Sequence, residues 1–280
     1  MFTHLDHLIV AIDDLEAAAE NYQKLFGMTP VWSGEHKELG TSNALFAFKN
    51  TYFELLSATG EGLGADLVNH YLNQSGEGLI GIVFATDDIK KAKSSLEEQG
   101  FNMPDISSGE GINSSDQQVR RWKNLFLPPE LSRGLFSFII EHTEGALPSP
   151  MAYEPSSPHS LDHVVINTND ADSFIDIYKD AFGIRLALDK TIEHWKKRML
   201  FFRLSKTTIE VIEEQNDQET ADTLWGLAWN VASIEETHKR LLGEGVDITP
   251  IKKGIKDKTL VATINSHTHN VPTLLIEHLD

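Results

Sequence analysis

The chain has 280 residues, of which 40% are hydrophobic, and its 24 basic and 42 acidic residues give a formal net charge of −18. The length suggests about two domains, the hydrophobic content excludes a disordered chain, and the charge argues against nucleic acid and membranes as partners. The chain contains no cysteine, which excludes disulfides and cysteine-ligated zinc, and no signal-like or long apolar segment, which predicts a cytoplasmic protein.

The first predicted element is the strand "LDHLIVAI", in which the alternation of side chains places His7 on a face with apolar neighbours. A helix follows over "LEAAAENYQKLFG", with one apolar face and Gly27 at its end. Two strands are predicted in "GEHKELGTSNALFAF", and the next strand, "TYFELLS", carries Glu54 among apolar residues.

This order of elements is repeated. His163 in "LDHVVINTNDA" lies 156 positions after His7, and Glu210 in "TTIEVIEE" lies 156 positions after Glu54. Each half also contains a weaker second unit, "GLIGIVFATDDIKKAKSSLEEQGF" in the first and "LWGLAWNVASIEETHKRLLGEGV" in the second. Each second unit leads to a strand that ends in Glu-His. A repeat with constant spacing indicates a duplicated structural unit.

The pattern predicts an α+β fold in which four βαβββ modules pair into two domains, each with one curved, mixed and largely antiparallel sheet and with its helices outside. The segment 146–158 holds four of the ten prolines and is predicted to be a linker between domains at 1–145 and 159–280. A polar stretch, "MPDISSGEGINSSDQQ", is either a lid over a site or a plain surface loop.

The histidine and glutamate residues that recur in the apolar strands of both halves need interaction partners. A buried, unpaired carboxylate costs several kcal/mol, so it must meet a cation, a hydrogen-bond donor or a proton. If His7, Glu54 and Glu141 converge, a divalent metal is a natural partner. Alternatively, the two histidines donate hydrogen bonds to Glu54 and to Glu210 without any metal.

The paired βαβββ modules resemble the vicinal oxygen chelate superfamily, which includes glyoxalase I, bleomycin-resistance proteins and extradiol dioxygenases. The resemblance covers nearly the whole chain and implies a metal such as Zn, Ni, Mn or Fe inside each curved sheet. The implied ligands are His7, Glu54 and Glu141 in the first domain and His163, Glu210 and Glu277 in the second. Gly81 and Gly226 occupy the positions where glyoxalase I carries its second histidine, so the ligand set is incomplete and dioxygenase chemistry is disfavoured.

The first half also resembles the glyoxalase-like domain family. The segment "GEHKELGTSNALFAFKNTYFELL" is similar to its Gly-x-His, Gly-Thr-x-Asn and Tyr-x-Glu-Leu pattern, and "RRWKNLFLPPE" fits the same family. The resemblance implies that the substrate-binding residues are His36, Thr41, Asn43, Tyr52, Arg121 and Trp122. On the residues alone, the Gly-Thr-x-Asn element could equally be a turn.

Two functions stay open from the sequence. The first is metal-assisted isomerase or lyase chemistry on a small oxygen-rich metabolite through an enolate-like intermediate, with Glu54 or Glu141 as the catalytic proton shuttle. The second is binding of a small molecule or drug without catalysis, as in bleomycin-resistance proteins. Either fits a monomer or a homodimer. The site is expected in the first domain, because "KKRMLFFRL" would fill or close a pocket in the second.

Overall fold

The structure, a computed structural model, describes residues 1–148, 152–193, 196–214 and 222–279. The strands of the first half are β1 (His4–Ala11), β2 (Trp32–His36), β3 (Thr41–Ala47), β4 (Tyr52–Ala58), β5 (Gly78–Ala85), β6 (Ser107–Asn113), β7 (Val119–Phe126) and β8 (Phe136–Glu144). Its helices are α1 (Leu15–Phe26), α2 (Leu63–Ser75), α3 (Ile89–Glu98) and α4 (Pro129–Ser132).

The second half repeats this order. Its strands are β9 (Pro158–Thr168), β10 (Arg185–Ile192), β11 (Lys197–Leu204), β12 (Thr207–Glu213), β13 (Thr223–Val231), β14 (Lys252–Lys253), β15 (Thr259–Ile264) and β16 (Thr273–His278). Its helices are α5 (Ala171–Ile175), which continues as a π-helical segment (Asp176–Ala181), and α6 (Ile234–Gly243). Within the described residues, no helix is long and apolar enough to cross a bilayer.

The four module helices begin at equivalent points because each is preceded by a capping residue. The side chains of Asp14, Asp88, Asp170 and Ser233 each accept a hydrogen bond from the backbone N–H three residues later, at the starts of α1, α3, α5 and α6. Such caps satisfy one of the free N–H groups of the first turn. The repeated pattern of the sequence therefore fixes the helix starts locally.

The two halves build one sheet each, and the predicted fold class is confirmed. The strand order is β1-β4-β3-β2-β6-β7-β8-β5 in the first half and β10-β11-β12-β9-β13-β16-β15-β14 in the second. In the first sheet β1 pairs with β4 and β5 pairs with β8 in parallel, and the remaining neighbours are antiparallel. Each parallel pair joins the first and last strands of one module.

The two sheets differ in closure. In the first half β2 pairs with β6 through Gly34 opposite Asn113 and Glu35 opposite Ile112, which closes the sheet into a barrel. In the second half the equivalent strands β10 and β14 are the two ends of an open sheet. The stretch predicted to be a lid or loop instead supplies β6, the strand that completes the barrel.

The segment "KKRMLFFRL" contains β11, whose alternate side chains point to opposite faces of the second sheet. Leu200 and Phe202 of β11 are fully buried in the main hydrophobic core, on the side of the sheet that faces the helices. Met199 and Phe201 point to the opposite, concave face, where Phe201 lies across from Glu210, so the filling of this face stays a prediction. One helix departs from the expectation that all helices lie outside, because Val68 of α2 packs with Ile9 and Phe138 of the inner face of the barrel in a separate apolar cluster.

The main core is shared by both halves. The indole of Trp229 on β13 contacts the rings of Phe26, Phe48 and Phe53, with centroids 5.2, 4.2 and 5.9 Å away. Aromatic packing of this kind buries large areas and favours a fixed geometry. The two halves are therefore held against each other by continuous apolar packing.

A buried ion pair also joins the halves. Arg133, just after α4, donates to both carboxylate oxygens of Asp222 at 2.6 and 3.2 Å. The same guanidinium donates to Ser173, to Thr168 and to the carbonyl of Asp170, at 2.5, 3.2 and 3.1 Å. The Asp222 side chain is 0% exposed and that of Arg133 is 6% exposed, so the charges are compensated inside the protein.

Candidate functional site

The candidate site is built around His7 on β1. The pairing of β1 with β5 shifts between Leu5 and His7, which makes Asp6 the extra residue of a β-bulge. As a result Leu5 belongs to the main core, whereas His7 shares the inner face of the barrel with Ile9. The imidazole is buried and stacks on the ring of Tyr52, with centroids 4.4 Å apart.

Glu54 on β4 faces His7. The parallel register places Glu54 opposite Ile9, two residues beyond His7, so both polar side chains point into the barrel. Its Oε2 lies 3.3 Å from His7 Nε2, and its Oε1 accepts a hydrogen bond of 2.7 Å from Asn43 Nδ2 on β3. His7 and Glu54 are 3% and 7% exposed. The structure thus brings together His7, Glu54, Asn43 and Tyr52.

The other nitrogen of His7 contacts a carboxylate that the sequence analysis missed. His7 Nδ1 lies 2.7 Å from Asp6 Oδ1, and His142 Nε2 on β8 lies 3.0 Å from Asp6 Oδ2. Burial alone would raise the pKa of Asp6, but hydrogen bonds from His142 and His7 hold that pKa well below its usual range. The signal was present in the sequence, because "LDH" and the final "EH" occur in both halves.

The second half repeats this cluster in a more exposed form. His163 Nδ1 lies 2.8 Å from Asp162 Oδ1 and its Nε2 lies 3.8 Å from Glu210 Oε2, while His278 Nε2 lies 2.8 Å from Asp162 Oδ2. Burial alone would lower the pKa of His163, yet the carboxylates of Asp162 and Glu210 raise it. Burial raises the pKa of Glu210 and opposes its attraction to His163.

A second layer of the first site comes from β2 and β3. His36 Nδ1 lies 3.1 Å from Thr41 Oγ1, and its ring meets the edge of the Trp122 indole, with centroids 5.9 Å apart. Burial lowers the pKa of His36, although the charge of Glu54 opposes this shift. A Cβ at Gly109 would lie only 2.3 Å from Trp122 Nε1, so a glycine is needed there for the indole to fit.

Arg120, rather than Arg121, lies inside the barrel. The guanidinium of Arg120 lies 5.3 Å from the ring centroid of Trp32 and 5.7 Å from that of Tyr52, and the residue is buried. Arg121 is outside, where it pairs with Glu110 and Glu144. The assignment of Arg121 to the site is therefore not supported by its position, because adjacent residues of a strand point to opposite faces.

Three polar atoms of this site have no hydrogen-bond partner among the described residues. They are Asn43 Oδ1, Arg120 Nε and Asn124 Oδ1. Asn124 shares the inward face of β7 with Trp122 and Arg120 by alternation. Because buried polar groups in folded proteins nearly always find partners, these atoms indicate a place for water or for a small polar ligand.

Glu141 and Glu277 do not join the histidines. Glu141 Oε2 accepts a hydrogen bond of 2.9 Å from the backbone N–H of Ile89, at the start of α3. Glu277 Oε2 accepts one of 2.7 Å from Ile234, at the start of α6. Both carboxylates therefore stabilise helix N-termini on the outer side of their sheets, where anions are favoured.

The remaining donors do not fit the implied metal site. Among the described residues, no group of three or more His, Asp or Glu side chains is placed to hold a metal ion. A Cβ at Gly81 would meet Ile9 and Phe136 at 3.1 Å, and one at Gly226 would meet the carbonyl of Pro272 at 2.6 Å. Close packing against backbone thus requires glycine at Gly226, and a larger residue at Gly81 would have to displace neighbouring side chains. His194, the counterpart of His36 in the second half, lies outside the described residues.

The model of the glyoxalase/bleomycin resistance protein/dioxygenase superfamily matches residues 160–263 in the second half of the chain. More narrowly, the chain belongs to the glyoxalase-like domain family, whose model matches residues 5–182. Both resemblances stated from the sequence are confirmed.

Known proteins resemble the chain to different extents. An ethylmalonyl-CoA/methylmalonyl-CoA epimerase from Cereibacter sphaeroides is 29% identical over 110 residues, which cover 39% of this chain and 79% of the epimerase. A mutant 4-hydroxymandelate synthase from Streptomyces coelicolor has a TM-score of 0.67 at 14% identity, over 99% of this chain and 92% of the synthase. A Mn(II)-bound glyoxalase from Novosphingobium aromaticivorans has a TM-score of 0.65 at 16% identity, over 100% and 83%. At these identities, the likeness to the two solved structures shows the fold alone.

Proposed function

We propose that the barrel of the first half binds a small carboxylic acid. It then moves a proton at the carbon next to the carbonyl group of that acid, as an isomerase or epimerase does. The observation that carries this proposal is the buried His7–Glu54 pair beside Arg120, inside a closed barrel. An acid–base pair of this kind moves protons efficiently when solvent is excluded and the pair is held in place. The partial similarity to an epimerase supports the same class of reaction.

The residues have separate roles in this proposal. Arg120, whose Nε has no partner among the described residues, holds the carboxylate or the developing enolate oxygen. The Glu54 carboxylate takes the proton from carbon while the electron pair of the broken C–H bond moves onto the carbonyl oxygen. His7 faces Glu54 through Nε2, which can accept a hydrogen bond from the Glu54 carboxyl once that group has taken the proton. Glu54 returns the proton to the same carbon, which gives the epimer when the planar intermediate has turned its opposite face to Glu54, and no oxidant or reductant is consumed.

The proposal assigns no step to a metal ion, because the donors around His7 do not form a chelating set. Two further positions would have to supply ligands to complete such a set. Gly81 has no ligating side chain and is closely packed, and the Glu141 carboxylate binds the start of α3. Proton transfer therefore depends on side chains that the barrel itself provides.

Exchange of substrate protons for deuterium tests the proposal. Protein in D2O is incubated with pyruvate, 2-oxobutyrate, acetoacetate or methylmalonyl-CoA, and loss of the C–H signal is followed by proton NMR against buffer alone. We expect catalysed exchange of at least one compound, and a loss of about 10²–10⁴-fold in Glu54→Gln. Glu210→Gln is the matched control in the second half and should exchange at the wild-type rate.

Two results would contradict the proposal. One is the absence of catalysed exchange with every compound of the panel. The other is wild-type exchange in Glu54→Gln, because the amide introduced by that substitution cannot accept the proton. Binding of a panel compound without exchange, measured by calorimetry, would favour the alternative of a non-catalytic binding protein.

A further inference from the structure

We propose that His142 is a positioning residue, which acts through Asp6 to hold His7 in the tautomer and orientation that face Glu54. The inference deepens the proposed function and rests on it for its catalytic consequence. Its structural part concerns only the chain of contacts from His142 to Asp6 to His7, and can be tested without any substrate.

The contacts form an unbroken series across the wall of the barrel. His142 Nε2 lies 3.0 Å from Asp6 Oδ2, Asp6 Oδ1 lies 2.7 Å from His7 Nδ1, and His7 Nε2 lies 3.3 Å from Glu54 Oε2. One ring nitrogen of His7 therefore faces Asp6 while the other faces Glu54. A histidine held in this way has its tautomer set by the carboxylate, as in catalytic triads, where a buried Asp orients the base.

Asp6 can do this only if its second oxygen is also satisfied. The residue is 3% exposed, and it is the bulge residue of β1, so its carboxylate reaches β8 as well as its own neighbour. His142 supplies the donor for Oδ2. Without that donor, a buried carboxylate oxygen would lose a charge-assisted hydrogen bond, and the side chain would no longer be fixed in one rotamer.

The surroundings leave few alternatives to His142. Tyr52 stacks on His7 on one side and Phe138 meets its edge, with centroids 4.4 and 5.8 Å away, and the Phe138 ring has no donor to offer Asp6. The other imidazole near this carboxylate, that of His4, has its Nε2 3.9 Å from Asp6 Oδ2, beyond hydrogen-bond distance. His142 is thus the residue on which the orientation of Asp6 depends.

The second half provides an internal control. His278, Asp162 and His163 repeat the same contacts, but the side chains of Asp162 and His163 are 22% and 17% exposed, against 4% for both Asp6 and His7. Water can therefore satisfy the carboxylate in the second half, whereas in the first half His142 must do so.

NMR of protein labelled with ¹⁵N-histidine tests the inference directly. The Nδ1–H signal of His7 is assigned by its loss in His7→Asn, and its exchange with water is measured in wild type, His142→Leu, His142→Gln and His278→Leu. We expect exchange to be at least about tenfold faster in His142→Leu, as removal of one charge-assisted hydrogen bond predicts. His142→Gln, whose amide can still donate to Asp6, should behave as wild type, and so should His278→Leu.

The catalytic consequence is measured on the same proteins by deuterium exchange of the panel compound. We expect the turnover rate to fall in His142→Leu with little change in KM, and to be restored in His142→Gln. If the His7 signal and the turnover rate are both unchanged in His142→Leu, the positioning role is refuted while the proposed function stands. If the His7 signal changes as expected but no compound exchanges in wild type, the proposed function fails while the positioning role stands.

Discussion

The buried ion pair between Arg133 and Asp222 gives a sharp prediction about what holds the two halves together. Replacing Arg133 by Met keeps an apolar side chain of similar length but leaves the Asp222 carboxylate, 0% exposed, without its cation. It also removes three further hydrogen bonds that the guanidinium donates across the interface. Removing one partner of a buried pair costs about 3–5 kcal/mol, so we expect a loss of this size in the free energy of unfolding.

The assay is urea unfolding followed by tryptophan fluorescence for Arg133→Met, Asp222→Leu and the double variant. The double variant should be less destabilised than the sum of the single variants, because it contains no uncompensated buried charge. A loss below about 1 kcal/mol in Arg133→Met, or strictly additive effects, would refute the view that these charges compensate each other inside the protein.

Two further predictions concern groups of the clusters. Glu141→Ala should lower the free energy of unfolding by about 0.5–2 kcal/mol, as the loss of a helix cap does. It should leave deuterium exchange of the panel compound unchanged. Loss of exchange in a variant that still folds would show that Glu141 belongs to the site after all. The pKa of His163 is raised in the folded protein, so its stabilising effect is present below its usual value of about 6.5 and is lost as the pH rises through the raised value. The difference in urea stability between wild type and His163→Gln should therefore be larger at pH 6 than at pH 9, and a difference that grows with pH would contradict this sign.

The sequence predicted much of the fold because its signals are local and repeated. The alternation around His7 and Glu54 and the constant spacing of the second half were sufficient to pair the modules. Closure of the first sheet was not predictable, because it depends on the pairing of β2 with β6, which are far apart in sequence and lack a distinctive pattern. The helix α2 was not predicted either. Its apolar face packs against the inner face of the barrel, a contact that depends on the closed sheet.

The site was predicted in part. His36, Thr41, Asn43, Tyr52 and Trp122 come together with His7 and Glu54, as the motif implied. Arg121 and Glu141 do not, because each is next to the residue that points inward. A glutamate that caps a helix is indistinguishable by sequence from one that faces a cavity. The recurrence of a residue type in both halves thus indicated that the residue is important, but it did not indicate what the residue does.

The difference in closure between the halves also determines which strand edges the protein exposes. An exposed strand edge is a template for pairing with another chain, and a closed barrel removes both edges of its sheet. The second sheet keeps two edges, and both are protected by charge. β14 is only Lys252–Lys253, both exposed, and β10 is a largely exposed strand that carries Arg185 and Lys190. The duplicated sequence thus treats its sheet edges in two different ways, by hydrogen bonding in the first half and by exposed charge in the second.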